Sequence, residues 1–320
     1  MTIALDIFRA LADPTRLRIV ALLRTMELAV GELAQVLGQS QPRVSRHIKI
    51  LCDAGLAQRR REGSWVFLCP GEQSRLASLF TAVDALNMAA GGDHWAIADA
   101  ARLAAVRADR TASAERYFSA NAVRWDAMRS LHIAESDVEA AIARALAGVS
   151  IGILVDIGTG TGRMIERFGQ SATHATGIDR SPEMLRLARA KLADSPFTHW
   201  DLKQGDIAAL PIEDGSADTV IIHQVLHFIP APETAIAEAA RIVAPGGRLI
   251  IIDFAPHERE ALRTEDAHAR LGFSDSQIQN WFAVAGLQID LIEDLAGGEL
   301  TVKIWRGRRA TEPFLKAVAA

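Results

Sequence analysis

A glycine-rich turn with an acid before it is the feature of this chain that has the clearest chemical use. It reads Val155-Asp156-Ile157-Gly158-Thr159-Gly160-Thr161-Gly162 and follows a run of aliphatic residues. Glycine lets a backbone turn tightly and approach a ligand closely. If a helix begins directly after the turn, its first N–H groups can bind a carboxylate. The turn is therefore predicted to bind a ligand that carries a carboxylate.

Two carboxylates stand where later strands are predicted to end. Asp179 comes about 20 residues after the turn, a spacing at which a carboxylate can accept hydrogen bonds from both hydroxyls of a ribose. Asp206, in Gln204-Gly205-Asp206-Ile207, is expected near an adenine amino group. The glycine spacing is G-x-G-x-G rather than the G-x-G-x-x-G of dinucleotide-binding turns, which disfavours a dinucleotide site.

A basic cluster between residues 43 and 61 is the second feature with chemical use. The chain as a whole has a formal net charge of −4. A basic cluster on an otherwise acidic protein predicts a polyanion as the partner of one face. A solvated charged face on a small helical domain is the alternative. The cluster consists of Arg43, Arg46, Lys49, Arg59, Arg60 and Arg61.

Short helices and a hairpin are predicted to position these basic residues. Gly38 should end a helix over Val30–Leu37, and the next helix should run to Asp53. Leu56–Arg61 and Trp65–Leu68 are predicted to be the two strands of a β-hairpin. Helices followed by a hairpin in this order predict a winged helix-turn-helix.

The helix that ends at Asp53 is the predicted recognition helix. Val44, Ile48 and Leu51 would face the core, while polar side chains would face the major groove, where arginine and glutamine can read base edges. The Arg59–Arg61 run would lie against phosphates, which adds affinity without sequence information. The predicted groove residues are Gln41, Arg43, Ser45, Arg46 and Lys49.

After Leu131 the pattern changes to alternating strands and helices. Such alternation predicts a doubly wound sheet with right-handed crossovers, and the last two strands could form an antiparallel end. The predicted fold class is α/β overall: a mostly helical winged helix-turn-helix, then a Rossmann-like, doubly wound, seven-stranded sheet. The strands are predicted at Ile151–Ile157, His174–Ile178, Phe197–Gln204, Thr219–Ile222, Leu249–Phe254, Gln288–Glu293 and Thr301–Arg306.

The ordered motifs of this second half resemble class I S-adenosylmethionine (SAM)-dependent methyltransferases of the UbiE-like, type 11 branch, over about residues 150–255. The resemblance implies SAM as cofactor, S-adenosylhomocysteine (SAH) as product and a small-molecule methyl acceptor. It assigns the methionine end of SAM to one group of residues, the ribose to a second and the adenine to a third. These are Asp156, Gly158 and Gly160 with His223 nearby; Asp179 with Arg180 and Met184; and Asp206 with Ile207.

Aromatic residues before the first strand are expected to form a lid. Tyr117, Phe118 and Trp125 lie in this stretch. In the methyltransferases that the chain resembles, this region closes over SAM and lines the acceptor pocket, and alignment of acceptor and methyl group lowers the barrier. Aromatic residues at helical spacing also pack in ordinary cores, and both interpretations stay open.

Histidines are the candidate general bases for a methyl transfer. His132, His223 and His227 are expected near the carboxyl edge of the sheet or its lid, and Asp253 is a fourth candidate. Histidine is the usual base near neutral pH. A lone histidine can equally be a structural hydrogen-bonding group, and the sequence does not choose among the four.

The first half resembles the ArsR/SmtB family of winged-helix repressors over residues 8–23 and 27–68. The resemblance implies a homodimer that binds double-stranded DNA at an inverted-repeat operator. Metal-sensing members carry Cys-Val-Cys on the third helix, where this chain has Ala29-Val30-Gly31, so no soft-metal site is expected there. The remaining cysteines and possible metal ligands are interpreted as packing or helix-surface residues: Cys52, Cys69, Asp84, Asp93 and His94.

Composition and organisation complete the prediction. No apolar run approaches the ~20 residues that span a bilayer, and two cysteines cannot make a disulfide framework, so a cytoplasmic protein without a membrane partner is expected. The predicted parts are a winged-helix domain over 1–92, a helical linker over 93–115, a methyltransferase domain over 116–307 with its lid at 116–148, and a tail over 308–320. Two functions remain open: a regulator that also methylates a small molecule, and a repressor that senses SAM or SAH with little turnover.

Overall fold

Two units make up the chain, Met1–Ala112 and Ser113–Ala320. The computed structural model describes residues 2–62, 65–71, 80–85, 95–106, 108, 133–296 and 300–311. Among these residues, no helix is both long enough and apolar enough to cross a membrane.

Helices and a small antiparallel sheet form the first unit. Strand β3 lies between β1 and β2, and helical residues 80–85 and 95–106 follow the sheet in the chain. The predicted helices and hairpin are confirmed. The elements are α1 Thr2–Leu11, α2 Pro14–Leu23, β1 Leu28–Ala29, α3 Val30–Leu37, α4 Gln41–Asp53, β2 Ala57–Glu62 and β3 Trp65–Pro70.

Helices α3 and α4 form the helix-turn-helix. Helix α3 ends at Gly38, whose φ of 64° lies in the left-handed region that glycine adopts without strain. Pro42 occupies the first turn of α4, where a missing N–H costs no hydrogen bond. The side chains of Val44, Ile48 and Leu51 are completely buried. One face of α4 therefore packs on the unit, and the opposite face is left outward.

A seven-stranded sheet forms the second unit and confirms the predicted fold class. Its order is β6-β5-β4-β7-β8-β10-β9, with the first five strands parallel and β10 antiparallel to both neighbours. The strands are β4 Gly152–Ile157, β5 Ala172–Asp179, β6 Trp200–Gln204, β7 Ala217–His223, β8 Val243–Phe254, β9 Leu287–Ala296 and β10 Thr301–Arg309. The helices are α5 Glu135–Leu146, α6 Arg163–Phe168, α7 Pro182–Ala193, α8 Pro232–Ile242, α9 Ala261–Glu265 and α10 Asp275–Val284.

Two predicted strand starts are corrected. Strand β6 begins after Phe197, because the N–H of Phe197 donates to Ser195 Oγ, and such a local bond competes with the sheet ladder. Strand β8 begins at Val243, well before Leu249, and includes the Pro245–Gly247 segment. The pairing register between β7 and β8 shifts at this segment.

The sheet brings the predicted cofactor residues to one edge. Strands β5 and β7 flank β4 in parallel, so the carboxyl ends of all three meet there. Leu154, Val220 and Ile222 are completely buried behind this edge. The glycine-rich turn, Asp179 and His223 therefore leave the sheet side by side.

Candidate cofactor site and nucleic-acid interface

The glycine-rich turn wraps around the end of β5. The N–H groups of Gly158 and Thr159 both donate to the carbonyl oxygen of Ile178, at 2.8 and 3.0 Å. Gly158 has a φ of 71°, and a Cβ built on it would lie 2.5 Å from Val225 Cγ2. A side chain at Gly158 would thus strain the backbone, and it would also collide with Val225 in the loop that follows β7.

Asp156 lies beneath this turn. Its side chain is buried, and its Oδ2 accepts a hydrogen bond of 2.6 Å from Thr159 Oγ1. The carboxylate is placed to shape the turn from inside.

Asp179 joins the turn to the following helix. Its Oδ2 accepts from the Gly160 N–H at 2.8 Å, and its Oδ1 accepts from the Ser181 N–H at 2.9 Å. Ser181 caps α7 by accepting from the Met184 N–H. Burial raises the pKa of Asp179, and the hydrogen bonds from backbone N–H groups oppose this increase. A carboxylate with spare acceptor capacity is thus held against the glycine-rich turn.

Two other predicted cofactor residues contact each other. Arg180 Nη1 lies 3.6 Å from Asp206 Oδ2, and both side chains are about half exposed. Ile207, next to Asp206 in sequence, is half-buried, whereas Met184 lies on the buried face of α7. The residues expected to bind ribose and adenine therefore line neighbouring loops.

Two residues mark the end of β7. His223 is buried, and Gln224 follows it with a φ of 52° although it is not a glycine. The N–H of Gln224 donates to the carbonyl oxygen of Ile252 at 2.7 Å, which holds the turn against β8. Backbone strain of this kind concentrates at functional sites. The sequence offered no signal for Gln224.

His227 and Asp253 form a buried pair. His227 Nδ1 lies 2.8 Å from Asp253 Oδ1, and the side chains are 3% and 0% exposed. The backbone N–H groups of Ala269 and Arg270 both donate to the carbonyl oxygen of His227. The His268 ring centroid is 4.3 Å from that of His227. The sequence did not indicate His268 or Arg270, because the connection after β8 carries no recognisable motif.

The outward face of α4 carries most of the predicted groove residues. Gln41, Arg43, Arg46 and Lys49 are exposed, and Ser45 is half-buried. The polar face of α4 is thus presented on the surface of the first unit.

The three arginines of the hairpin strand β2, Arg59–Arg61, differ in exposure. Arg59 and Arg61 are exposed, whereas Arg60 Nη2 donates to Glu27 Oε2 and its guanidinium lies 5.5 Å from the Phe67 ring. Side chains alternate between the two faces of a strand, so the middle residue of the run turns inward. Arg60 is therefore paired with Glu27 inside the unit and is not presented on the exposed face with Arg59 and Arg61.

Comparison with known proteins gives a family match for a part of each unit. Residues 13–59 match the family model described as bacterial regulatory protein, arsR family, and residues 155–251 match the model described as methyltransferase domain. The chain combines an ArsR-type DNA-binding domain with a methyltransferase domain. SAM is the cofactor of a methyltransferase domain of this kind.

Curated methyltransferases match about a third of the chain. The demethylmenaquinone methyltransferase of Tropheryma whipplei (strain Twist) is 33% identical over 106 residues, or 33% of this chain and 43% of the relative. The UbiE C-methyltransferase of Methylobacterium nodulans is 36% identical over 104 residues, or 32% of this chain and 41% of the relative. The chain spans less than half of the length of these relatives.

Solved structures share the fold of the same domain. A Haloferax volcanii methyltransferase–activator complex matches with a TM-score of 0.51 and 23% identity, over 60% of this chain and 97% of that chain. A SAM-dependent methyltransferase from Thermotoga maritima matches with a TM-score of 0.50 and 21% identity, over 61% and 99%.

The residues present at the sheet edge fit SAM. The Asp179 carboxylate, held against the Gly160 N–H of the turn, suits the hydroxyls of a ribose. The expected lid residues Tyr117, Phe118 and Trp125 lie outside the described residues. So do His132, Asp93 and His94.

Proposed function

We propose that this chain is a DNA-binding transcriptional regulator whose methyltransferase domain transfers a methyl group from SAM to a small molecule. The observation that carries the proposal is the Asp179 carboxylate, held by Gly160 and Ser181 against the glycine-rich turn at the carboxyl edge of the sheet. This edge is where doubly wound sheets bind their ligands.

In this proposal, the chain's own residues bind SAM and deprotonate the acceptor. Asp179 fixes the ribose, and SAM supplies an activated methyl group. His227 is the proposed base. In the tautomer that carries its proton on Nδ1, His227 donates a hydrogen bond to Asp253, and Nε2 is then the atom that can take a proton from an acceptor O–H or N–H. His227 is proposed because this carboxylate orients its ring.

Winged-helix dimers are the proposed DNA-binding form. Helix α1 exposes Leu5 and Phe8, which are 50% and 67% accessible in the single chain, and apolar side chains of this size favour burial against a second copy. Two copies of α4 would enter major grooves about one helical turn, ~10 bp, apart on an inverted repeat. DNA as partner would place the protein in the cytoplasm.

A SAM- or SAH-sensing repressor with little turnover is the second candidate. The combination of a cofactor turn and a DNA-binding domain in one chain favours it, since SAM binding could make operator affinity depend on the SAM concentration. The His227–Asp253 pair favours turnover, because a sensor has no use for a base.

A calorimetric titration of the full chain with SAM and with SAH tests the shared part of both candidates. Binding that is weakened in Asp179→Ala and kept in Asp194→Ala supports the site, since Asp194 is an exposed acid at the other end of α7. The absence of binding to either compound by the folded protein would contradict it. Release of SAH from SAM in the presence of a metabolite extract then separates an enzyme from a sensor.

A further inference from the structure

A buried ion pair joins helix 95–106 to helix α2 within the first unit. Asp99 accepts two hydrogen bonds from the Arg18 guanidinium, at 2.7 Å from Nε and 2.6 Å from Nη2. The side chains of Arg18 and Asp99 are only 9% and 6% exposed. A parallel pair of charge-assisted bonds fixes both position and orientation. Asp99 is distant from Arg18 in sequence, so the pair fastens this helix onto α2.

The same contact reaches the turn of the helix-turn-helix. Arg18 Nη2 donates to the Leu37 carbonyl oxygen, and Arg102 Nη1 donates to the Val36 carbonyl oxygen, each at 3.3 Å. These carbonyls belong to the last turn of α3, where intrahelical donors are absent and positive charge is stabilising. Gly38, directly after them, is where the chain turns into the recognition helix α4. Helix 95–106 therefore contacts the end of α3, directly before the turn that sets the direction of α4.

Apolar contacts complete the attachment. Leu103 and Val106 are each 5% exposed, and the Trp95 ring lies 4.7 Å from the Arg18 guanidinium carbon. This helix is the described part of the predicted linker, and the chain continues from it to the methyltransferase unit. A flexible tether would make none of these contacts.

We propose that helix 95–106 is a regulatory latch, which holds the α3–α4 turn in its DNA-binding form through the Arg18–Asp99 pair. A SAM or SAH molecule bound to the methyltransferase domain would change operator affinity by shifting the latch. A buried ion pair suits this role because it is either made or broken: losing one partner leaves a buried charge, so intermediate positions are unfavourable. The inference rests on the proposed function in that it requires SAM binding by the second unit.

The test measures the affinity of the full chain for a duplex that covers the DNA immediately upstream of its coding sequence, with and without saturating SAM or SAH. Allosteric couplings are typically about 5–150-fold, and we expect one in this range for the natural chain. Asp99→Asn should lower the ligand-free DNA affinity and reduce the coupling to less than about twofold.

Asp84→Asn is the matched control. Asp84 makes a similar two-bond pair with Arg24 in the same unit, at 2.8 and 3.0 Å, but both side chains are exposed. The same substitution there should leave DNA affinity and coupling unchanged, because exposed pairs contribute little. Asp99→Glu, which keeps the carboxylate, should recover part of the coupling.

A second variant keeps the proposal testable if Asp99→Asn does not fold. Arg102 is about half exposed. Arg102→Ala removes the bond to Val36 and a 4.0 Å contact with Asp99 but keeps the Arg18–Asp99 hydrogen bonds, so the coupling should fall at least about twofold in a folded protein. Calorimetry with SAM on the same samples separates two failures. No SAM binding by the natural chain contradicts the proposed function. Binding with unchanged coupling in Asp99→Asn or Arg102→Ala overturns the latch alone.

Discussion

The Nδ1 atom of His227 lies 2.8 Å from Oδ1 of Asp253, and Asp253 Oδ1 also accepts a 2.8 Å hydrogen bond from the N–H of Phe254. The N–H of His227 approaches Asp253 Oδ2 at 3.3 Å. One carboxylate thus holds both the ring and the backbone of the histidine, and the ring has one defined orientation at the end of β8.

His227→Asn and Asp253→Asn should each slow methyl transfer by about 10²–10⁴-fold while SAM affinity changes less than about twofold, because a general base acts on the acceptor. The measurement is SAH release from SAM in a metabolite extract, beside calorimetric titration with SAM. His174→Asn is the control, since His174 pairs with Asp201 at 3.3 Å on the exposed surface. Full activity in His227→Asn would assign the pair to folding alone.

Asp179→Ala should weaken SAM binding by about 1.5–3 kcal/mol, or roughly 10–150-fold, because hydrogen bonds to a charged acceptor are lost. Calorimetry with Asp194→Ala as control measures this. An affinity equal to that of the natural chain would remove Asp179 from the ribose site.

The decrease of SAM affinity at low pH should depend on Asp179. Burial raises the pKa of this carboxyl, so it takes up its proton at a higher pH than an exposed aspartate does. Protonation removes the charged acceptor, and SAM affinity should therefore fall on acidification, with a midpoint above the usual aspartate range. Asp179→Asn should lose this pH dependence. If SAM affinity still falls at low pH in Asp179→Asn, another titratable group causes the pH dependence.

Three arginines in the DNA-binding domain should separate into three behaviours. Arg43→Ala should reduce discrimination between operator and random DNA by about 1–3 kcal/mol. Arg59→Ala should weaken all sequences alike and lower the slope of log affinity against log salt by about 0.9. Arg60→Ala should instead cost ~1–3 kcal/mol of folding stability, because its bond to Glu27 is inside the domain.

Fluorescence anisotropy at several salt concentrations measures the DNA effects, and urea unfolding measures the third. A salt slope that falls equally in Arg59→Ala and Arg60→Ala would show that Arg60 leaves Glu27 to contact DNA.

The sequence predicted the parts of this protein that depend on local pattern. The turn at Gly158 and the strand end at Asp179 were predicted because they recur at a fixed spacing. The burial of Val44 and Ile48 was predicted because helical periodicity separates a buried face from an exposed one. The pairing of Arg60 with Glu27 was not predicted, since its neighbours suggested a uniform basic run and Glu27 is distant in sequence. The Arg18–Asp99 pair and the position of His268 beside His227 were beyond prediction for the same reason: each arises from packing between segments that no local signal relates.

Cys69 should be an unreactive thiol whose reactivity depends on Glu27. Burial and the Glu27 carboxylate, which accepts from Cys69 Sγ at 3.1 Å, raise the pKa of this thiol to about 12. The thiolate is the nucleophile, so alkylation of Cys69 by iodoacetamide at pH 8 should be very slow. Glu27→Gln removes the charge that opposes ionisation and leaves the Arg60 guanidinium, which favours the thiolate. The pKa should fall, and the alkylation rate of Cys69 should rise at least roughly tenfold, since each pKa unit changes the thiolate fraction about tenfold. Mass spectrometry of alkylated peptides follows both cysteines in one sample.

Cys52 is the internal reference, because its pKa is raised chiefly by burial and Glu27 is not among the groups that act on it. A parallel rise at Cys52 would mean that Glu27→Gln loosens the domain, and an unchanged rate at Cys69 would make burial alone the cause.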